Sequence, residues 1–363
     1  MSDLSECAIL IVDDTVANVD ILVYALENDY DVMVAMDGES ALESVAEHRP
    51  DLILLDIMMP GMDGYEVCRR LKADAATSHI PIIFLTAMTE EQDEAKGLAL
   101  GAVDYITKPF SPELVKARAK NQLELKMHRD SLEEMVRERT KQLELTQEIT
   151  IESMGTLAEY RDPETGGHIK RTQQYVRVLA EQLQKHPKFE GYLTDTVIDM
   201  LYKSAPLHDI GKVGIKDDIL LKPGKITEQE FDEMKKHASY GRDVIAIQEK
   251  KLGAHSFLHH AGLMAGSHHE KWDGSGYPEG LAGDEIPIEG RIMAVADVYD
   301  ALISKRVYKP PFPHEKAVMI ITEEKGRHFD PDMVDAFLAI EGIFRQIGYK
   351  YADFDEEREN LKK

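Results

Sequence analysis

Short apolar runs alternate with amphipathic stretches over roughly the first third of the chain. The apolar runs lie at residues 8–12, 52–55, 82–85 and 103–106. Between them, residues 18–26 and 39–46 repeat apolar positions with the spacing of a helix that buries one face. Strands that alternate with helices predict a parallel sheet covered by helices on both faces, so we expect an α/β, doubly wound domain here.

Polar residues follow the apolar runs, where the predicted strands end. They are Asp13, Asp14, Asp56, Thr86 and Lys108. In an open parallel sheet the ligand site lies outside the carboxyl ends of the strands, so we expect these side chains to meet. Three carboxylates suit Mg²⁺, and a lysine and a hydroxyl can then hold a transferred phosphoryl group. The alternative, acids that merely begin loops, fits less well with five such residues at successive strand ends.

Two stretches of this domain resemble the receiver domain of two-component response regulators, which has a flavodoxin-like fold. They are Asp-Ile-Met-Met-Pro-Gly-Met-Asp-Gly at 56–64 and Lys-Pro-Phe at 108–110, and the resemblance covers about residues 5–122. It implies a cis peptide before Pro109 and a sensor histidine kinase as the phosphodonor partner. It also implies that Asp56 accepts the phosphoryl group, that Asp13 and Asp14 help to hold Mg²⁺, and that Thr86, Lys108 and the aromatic Tyr105 form the switch.

A long helix is predicted after the receiver-like domain. After Pro112, residues 113–157 contain no proline and consist mostly of good helix formers. Apolar or small residues recur near every three and a half positions, at Leu125, Leu132, Val136, Leu143 and Thr150. This spacing favours a coiled-coil seam and a homodimer that transmits a rearrangement of the receiver, although Arg139 and Thr146 interrupt it. The alternative is a long solvated helix that packs on its own chain.

Residues 150–345 change to helical patterns, such as those at 172–183 and 228–237, and predict an all-α domain. Histidines and carboxylates are spread along it, at Glu164, His168, His208, Asp209, His237, His268, His269 and Asp297. His208 and Asp209 are expected on one helix, and His237 is expected to end a helix that spans 228–236. Burying a histidine beside an aspartate is costly unless they pair or bind metal.

A His–Asp pair alone would more often be a satisfied core pair than a metal site, but the other candidate ligands favour metal. Five imidazoles and three carboxylates, with no thiolate, suit ions such as Fe, Mn or Zn. Eight donors exceed the need of one ion, so a multinuclear centre follows if they converge. Paired ions of this kind hydrolyse phosphodiesters by activating water and clamping the attacking and leaving oxygens.

Four motifs of this domain resemble the HD-GYP subgroup of the HD metal-dependent phosphohydrolases. They are His208-Asp209, Asp-Pro-Glu-Thr-Gly-Gly-His at 162–168, His-His-Glu-Lys-Trp-Asp-Gly-Ser-Gly-Tyr-Pro at 268–278, and Ala-Asp-Val-Tyr-Asp-Ala-Leu at 296–302. The resemblance implies hydrolysis of cyclic di-GMP at two or three metal ions, commonly iron, held by the eight candidate ligands. Asp209 would bridge two ions, and Glu164 favours a third.

Several further residues are candidates for substrate contacts. The resemblance makes Lys212 a phosphate contact or the proton donor to the leaving oxygen, and it brings Tyr277 towards the nucleotide. Arg306 and Lys309 lie three residues apart and could grip the second phosphate. Each of these basic residues has the alternative interpretation of a solvated surface charge.

The bulk composition restricts partners and compartment. The 363 residues carry 43 basic and 67 acidic side chains, a net charge of −24, which argues against a protein that binds duplex DNA. Cys7 and Cys68 are the only cysteines, which excludes a disulfide framework and a thiolate-rich zinc site and fits a reducing cytosol. No apolar run is long enough to span a bilayer, and the first residues lack a signal-peptide pattern. We therefore expect a cytoplasmic protein without a membrane partner.

These patterns divide the chain into four predicted parts: a receiver at 1–122, a coiled-coil-like linker at 123–150, an HD-GYP domain at 151–345, and a tail at 346–363. Residues 350–363 of the tail are expected to form a frayed helix. The expected function is a response regulator whose phosphorylation controls hydrolysis of cyclic di-GMP to pGpG, with a second cut to GMP left open. One alternative is the same chemistry on hybrid cyclic GMP-AMP. The other is a module that binds a cyclic dinucleotide with little turnover.

Overall fold

The computed structural model describes residues 4–87, 97–159, 167–253, 256–305 and 310–362. The chain divides into two compact units, Met1–Lys141 and Gln142–Lys363. Within the described residues, no helix is both long enough and apolar enough to cross a membrane.

The first unit is built on a five-stranded sheet. Its strands are β1 (Ala8–Val12), β2 (Asp31–Ala35), β3 (Leu52–Asp56), β4 (Ile82–Thr86) and β5 (Asp104–Thr107). They lie in the order β2-β1-β3-β4-β5, and every neighbouring pair is parallel. The predicted doubly wound α/β domain is confirmed, and the Lys108–Pro109 peptide is cis, as the resemblance implied.

Helices cover the sheet and complete two apolar layers. They are α1 (Val16–Leu26), α2 (Gly38–His48) and α3 (Gly64–Ala73). The side chains of Asp37 and Asp63 each accept a backbone N–H of the first turn, at 2.8 Å, and so cap α2 and α3. One layer contains Leu10, Ile53 and Val67, and the other contains Ile11, Leu22 and Leu54. The apolar runs of the sequence therefore form strands that are buried on both faces.

The predicted connecting helix is present as α4, which runs without interruption from Pro112 to Glu159. Near its start, Val115, Ala119 and Leu123 are buried against the first unit. Along its middle, Val136 and Leu143 are 65% and 70% exposed. Their exposure leaves the apolar stripe of this helix available to a partner.

Helices joined by loops form the rest of the second unit in its described residues, together with two isolated β-bridges. Its helices are α5 (Gly167–Leu183), α6 (Asp195–Ser204), α7 (Asp217–Leu220), α8 (Glu228–Leu252), α9 (Phe257–Ser267), α10 (Ile288–Ile303), α11 (His314–Glu323), α12 (Pro331–Ala339), α13 (Glu341–Lys350) and α14 (Asp355–Leu361). Short 3₁₀ helices span Ala205–Leu207, Ile210–Gly214 and Gly283–Glu285. The core centres on Tyr175, whose ring stacks on Phe344 and meets the edge of Tyr299. The predicted all-α domain is confirmed.

Three local predictions are wrong. His208 and Asp209 do not share a helix, because they form the turn between two 3₁₀ helices. His237 does not end its helix, since α8 continues for fifteen more residues to Leu252, through a stretch without proline. The tail is not frayed, because Leu361 is buried in the core. Buried Glu357 anchors α14 further by accepting the backbone N–H groups of Lys305 and Asp353.

Candidate metal centre and phosphoacceptor site

Three carboxylates meet at the carboxyl edge of the receiver sheet. Asp13, Asp14 and Asp56 each offer an oxygen within 4.8 Å of the others. Lys108 reaches the same place: its Nζ lies 2.7 Å from Asp56 Oδ2 and 2.8 Å from Asp13 Oδ2. Thr86 ends the neighbouring strand β4 and is buried. The structure thus brings together the acidic pocket and the lysine that the sequence placed at strand ends, and it places Thr86 at the end of the strand beside β3.

The charge balance of this pocket suits a phosphoacceptor. Burial raises the pKa of Asp56, while its hydrogen bond from Lys108 acts in the opposite direction. Burial disfavours the Lys108 ammonium, but Asp13 and Asp56 outweigh it and raise the pKa of the lysine. Tyr105, the predicted aromatic of the switch, lies on β5 beneath the guanidinium of Arg118. Three carboxylate oxygens within 4.8 Å of one another are a donor set that suits a hard cation.

The second unit gathers histidines and carboxylates into two adjoining groups of donors. We call Asp209, His237, His268 and His269 group A, and Glu159, His168 and His208 group B; within each, the donor atoms lie within 4.8 Å of one another. Asp209 faces both groups. Its Oδ1 lies 3.2 Å from His237 Nε2 and 3.5 Å from His268 Nε2, while its Oδ2 lies 3.4 Å from His208 Nε2.

Three of the histidines are held in the same way. The Nδ1–H of His208 donates to Ala205 O at 2.9 Å, that of His237 to Met234 O at 2.7 Å, and that of His268 to Ala265 O at 3.1 Å. These backbone acceptors fix the tautomer, so each Nε2 carries its lone pair towards the centre. The local turns and helices around these histidines therefore act as an outer shell that orients the rings.

Several polar atoms of the centre are buried without a hydrogen bond. Within the described residues, these atoms include His208 Nε2, Asp209 Oδ1, His237 Nε2 and His268 Nε2. Leaving one buried acceptor unsatisfied costs about 1–3 kcal/mol, so four in one place call for a ligand. Imidazole nitrogens and carboxylate oxygens are the donors that Fe, Mn and Zn accept. The residues present thus fit divalent transition-metal ions.

The electrostatics favour the deprotonated forms of Asp209, His268 and His269, which metal binding needs. Burial disfavours the Asp209 carboxylate, but Lys212 and His208 outweigh it and hold its pKa well below the usual value. Burial lowers the pKa of His268, and burial together with His268 and His237 places the pKa of His269 well below its usual value. Burial disfavours the His208 imidazolium, but Asp209 outweighs it and raises the pKa of His208. The anionic carboxylate therefore lies beside the neutral imidazoles of His268 and His269.

His168 and Asp297 complete the inner side of the centre. Asp297 Oδ1 lies 3.8 Å from His168 Nε2. On its other side, His168 Nδ1 donates to Asp300 Oδ2 at 2.8 Å. Asp300 is in turn bound by both Nε and Nη2 of Arg171, at 2.6 and 2.9 Å. Asp300 thus holds the ring of His168 in place.

One carboxylate of the centre was not predicted from the sequence. Glu159 is only 2% exposed, and its Oε1 lies 3.4 Å from His168 Nε2. The predicted ligand Glu164 lies outside the described residues, so its role stays a prediction. The sequence signal that could have identified Glu159 is its position after Leu157 and Ala158, at the end of a long predicted helix.

The two candidates for substrate contacts that the structure describes, Lys212 and Tyr277, both lie beside donors of group A. Lys212 is buried, and its Nζ lies 2.8 Å from Asp209 Oδ2. The ring of Tyr277 stacks on His269 at 4.7 Å between centroids. The candidates Arg306 and Lys309 lie outside the described residues.

The loop that carries Tyr277 is clamped by buried Glu270. Its carboxylate accepts the backbone N–H groups of Glu279 at 2.8 Å, and of Gly280 and Leu281 at 3.1 Å. A side chain at Gly276 would collide with the backbone of Lys271, so the loop passes close to the segment that carries the paired histidines. The clamp therefore fixes the aromatic ring beside the donors of group A.

Comparisons with known proteins identify the family to which each unit is similar. Residues 9–120 match the response regulator receiver domain, and residues 152–333 match the HD domain, a family of metal-dependent hydrolases. A protein of Vibrio cholerae serotype O1 named probable cyclic di-GMP phosphodiesterase is 49% identical over 97% of this chain and 82% of its own length. The chain belongs to the HD-domain response regulators.

Two further relatives bear on what the family does. The cyclic di-GMP phosphodiesterase response regulator RpfG of Xanthomonas campestris pv. campestris is 36% identical, over 93% of this chain and 89% of that protein. A 3′3′-cGAMP-specific phosphodiesterase 2 of Vibrio cholerae is 42% identical, but over 51% of this chain and 33% of its own length. The likeness to RpfG spans both units of this response regulator.

Proposed function

We propose that this response regulator hydrolyses cyclic di-GMP to linear pGpG, and product analysis decides whether a second cut releases GMP. The observation that carries the proposal is Asp209, whose two oxygens face two groups of buried imidazole donors. The relatives that align over most of the chain support the substrate, because both are named for cyclic di-GMP.

The residues of the centre suggest how the reaction proceeds. When bound, two or three divalent ions would supply an activated water and the positive charge that the phosphodiester requires. The proposed holders of those ions are Glu164, His168, His208, Asp209, His237, His268, His269 and Asp297. Water adds to phosphorus, the bond from phosphorus to the 3′ oxygen breaks, and that oxygen takes up a proton.

Lys212 is the group best placed to assist the leaving oxygen. Its ammonium is buried and lies 2.8 Å from Asp209, at the edge of the metal centre. In this position it can contact the scissile phosphate or donate the proton. Tyr277 offers an aromatic face beside His269, and Arg306 and Lys309 keep their proposed role at the second phosphate.

We also propose the identity of the ions. The imidazole and carboxylate donors of groups A and B accept iron, manganese and zinc, and the resemblance to the HD-GYP subgroup favours iron among them. Metal content of protein purified without oxygen measures this directly. In the receiver, Asp13, Asp14 and Asp56 present only oxygens, which favours Mg²⁺.

Product analysis tests the enzymatic proposal. Protein loaded anaerobically with Fe²⁺ or Mn²⁺ is expected to convert cyclic di-GMP to pGpG or GMP, and chelation is expected to stop the reaction. Equimolar competition with 3′3′-cGAMP compares the two cyclic dinucleotides, and preferential loss of the hybrid would transfer the proposal to that substrate. Tight binding with intact substrate under every metal would instead favour a binding module.

The proposed regulation joins the two units through α4. A sensor histidine kinase would phosphorylate Asp56, and two chains would pair through the exposed stripe that includes Leu132, Val136 and Leu143. We keep the predicted division into a receiver at 1–122, a linker at 123–150, a catalytic domain at 151–345 and a tail at 346–363.

A phosphodonor is expected to change both the hydrolysis rate and the oligomeric state of the wild-type chain, and to change neither in Asp56→Asn. The reason is that the amide cannot accept a phosphoryl group while the neutral, isosteric side chain keeps the fold. Light scattering and a parallel hydrolysis assay with acetyl phosphate measure the two responses. An equal response of the variant would refute control through Asp56, and a monomer under all conditions would refute the dimer.

A further inference from the structure

We infer that Glu159 is a metal-facing carboxylate of group B, so that the helix which leaves the receiver ends inside the metal centre. The inference rests on the proposed function for the presence of metal. It adds a donor that is distinct from the predicted Glu164, and it places that donor at the end of α4, the long helix that begins at Pro112 and whose last turns lie within the second unit.

The first support is the position of the side chain. Glu159 is the last residue of α4 and is almost fully buried. One of its oxygens, one ring nitrogen of His168 and one ring nitrogen of His208 all lie within 4.8 Å of one another. A carboxylate and two imidazoles are a usual donor set for a first-row divalent ion.

The second support is the face of α4 that carries this residue. Ile151, Gly155 and Glu159 are four residues apart and lie along one side of the helix. Ile151 is buried in a cluster with Leu207, the residue before His208. At Gly155, a Cβ atom would lie 2.5 Å from the carbonyl oxygen of Pro206. The helix therefore packs directly on the turn that carries His208.

The same face of α4 also touches the start of α5, which carries His168. A Cβ at Gly155 would lie 3.2 Å from Ile169 Cδ1, and Lys170 pairs with Glu152 one turn earlier on α4. Both histidines of group B thus come from segments on which the end of α4 rests. The donors of group A come from the turn at Asp209, from α8 and from the end of α9.

This arrangement makes group B the part of the centre that depends on the register of α4. Successive residues of a helix differ by about 100° in direction and 1.5 Å in rise, so a shift by one residue would withdraw the Glu159 carboxylate. Group A would keep its donors. The inference therefore predicts a selective loss of one ion rather than collapse of the whole centre.

Metal content of the full-length protein tests this. Wild type, Glu159→Gln and the control Glu152→Gln are loaded anaerobically with Mn²⁺, desalted and assayed by mass spectrometry and by metal titration. We expect Glu159→Gln to lose about one ion per chain, or to bind it at least about tenfold more weakly. Glu152→Gln, which breaks an ion pair of the same two helices, is expected to match wild type.

Equal metal content and equal titration of Glu159→Gln and wild type would overturn the inference. If the amide variant does not fold, Glu159→Asp replaces it: the shortened carboxylate is expected to weaken binding of one ion, and unchanged binding would overturn the inference. Gly155→Ala, which pushes α4 away from Pro206, is expected to lose the same ion although Glu159 is intact. Hydrolysis assays separate the two proposals. If Glu159→Gln loses one ion selectively but the wild-type protein does not hydrolyse cyclic di-GMP, only the proposed function is refuted.

Discussion

Replacing Asp209 by Asn is expected to slow hydrolysis of cyclic di-GMP by roughly 10²- to 10⁴-fold and to reduce the metal content. Asp209 is the anionic group that faces both sets of donors, and its low pKa keeps it charged although burial opposes this. Removing one partner from a buried charged contact costs about 3–5 kcal/mol, and about 1.4 kcal/mol corresponds to a tenfold change. Product formation and metal analysis of the same preparation measure both effects.

An aspartate on the surface of the same unit provides the matched control. Asp284 is exposed in the 3₁₀ helix Gly283–Glu285 and pairs there with Lys188 and Arg291. Asp284→Asn makes the same chemical change away from the centre, so its turnover and metal content are expected to match wild type. Wild-type turnover by Asp209→Asn would show that the chemistry takes place elsewhere.

The sequence predicted the receiver almost completely, because its buried strands are apolar runs that end in polar residues. The strand that the pattern did not reveal is β2, Asp31–Ala35, which lies at the edge of the sheet. Its first residue is charged and Val34 is 44% exposed, so it lacks the continuous apolar signal of β1 or β3. An edge strand is paired on one side only, and its burial depends on tertiary contacts that a local pattern does not contain.

The sequence predicted which residues meet in the metal centre, but it predicted their secondary structure less well. The structure describes seven of the eight predicted ligands and places them in or beside groups A and B. The pattern did not reveal that His208 and Asp209 occupy a turn, because an HD dipeptide in an apolar stretch has no helical period of its own. Glu159 was missed because its importance comes from the packing of Gly155 on Pro206, a contact between segments about fifty residues apart.

The charged network behind His168 predicts the largest loss of stability. Arg171 is 1% exposed and donates to Asp300, Ser304, the Tyr351 carbonyl and Asp353. In Arg171→Ala the buried Asp300 carboxylate would lose its guanidinium, at a cost of about 3–5 kcal/mol. For a unit of this size that corresponds to a fall in Tm of about 6–20 °C. Calorimetry of the metal-free protein measures this without interference from bound ions.

The same helix offers a control with a similar side chain. Arg177 pairs with Asp199 at 3.3 Å and lies over the ring of Tyr202, but it is partly exposed, so Arg177→Ala is expected to cost about 1 kcal/mol. Arg171→Lys is expected to fall between the two, because an ammonium keeps the charge and loses the two-pronged contact with Asp300. Equal melting of Arg171→Ala and Arg177→Ala would contradict the network. If the predicted order holds, the C-terminal segment that contains Tyr351 and Asp353 supports the metal centre, because Asp300 holds the ring of His168 in place.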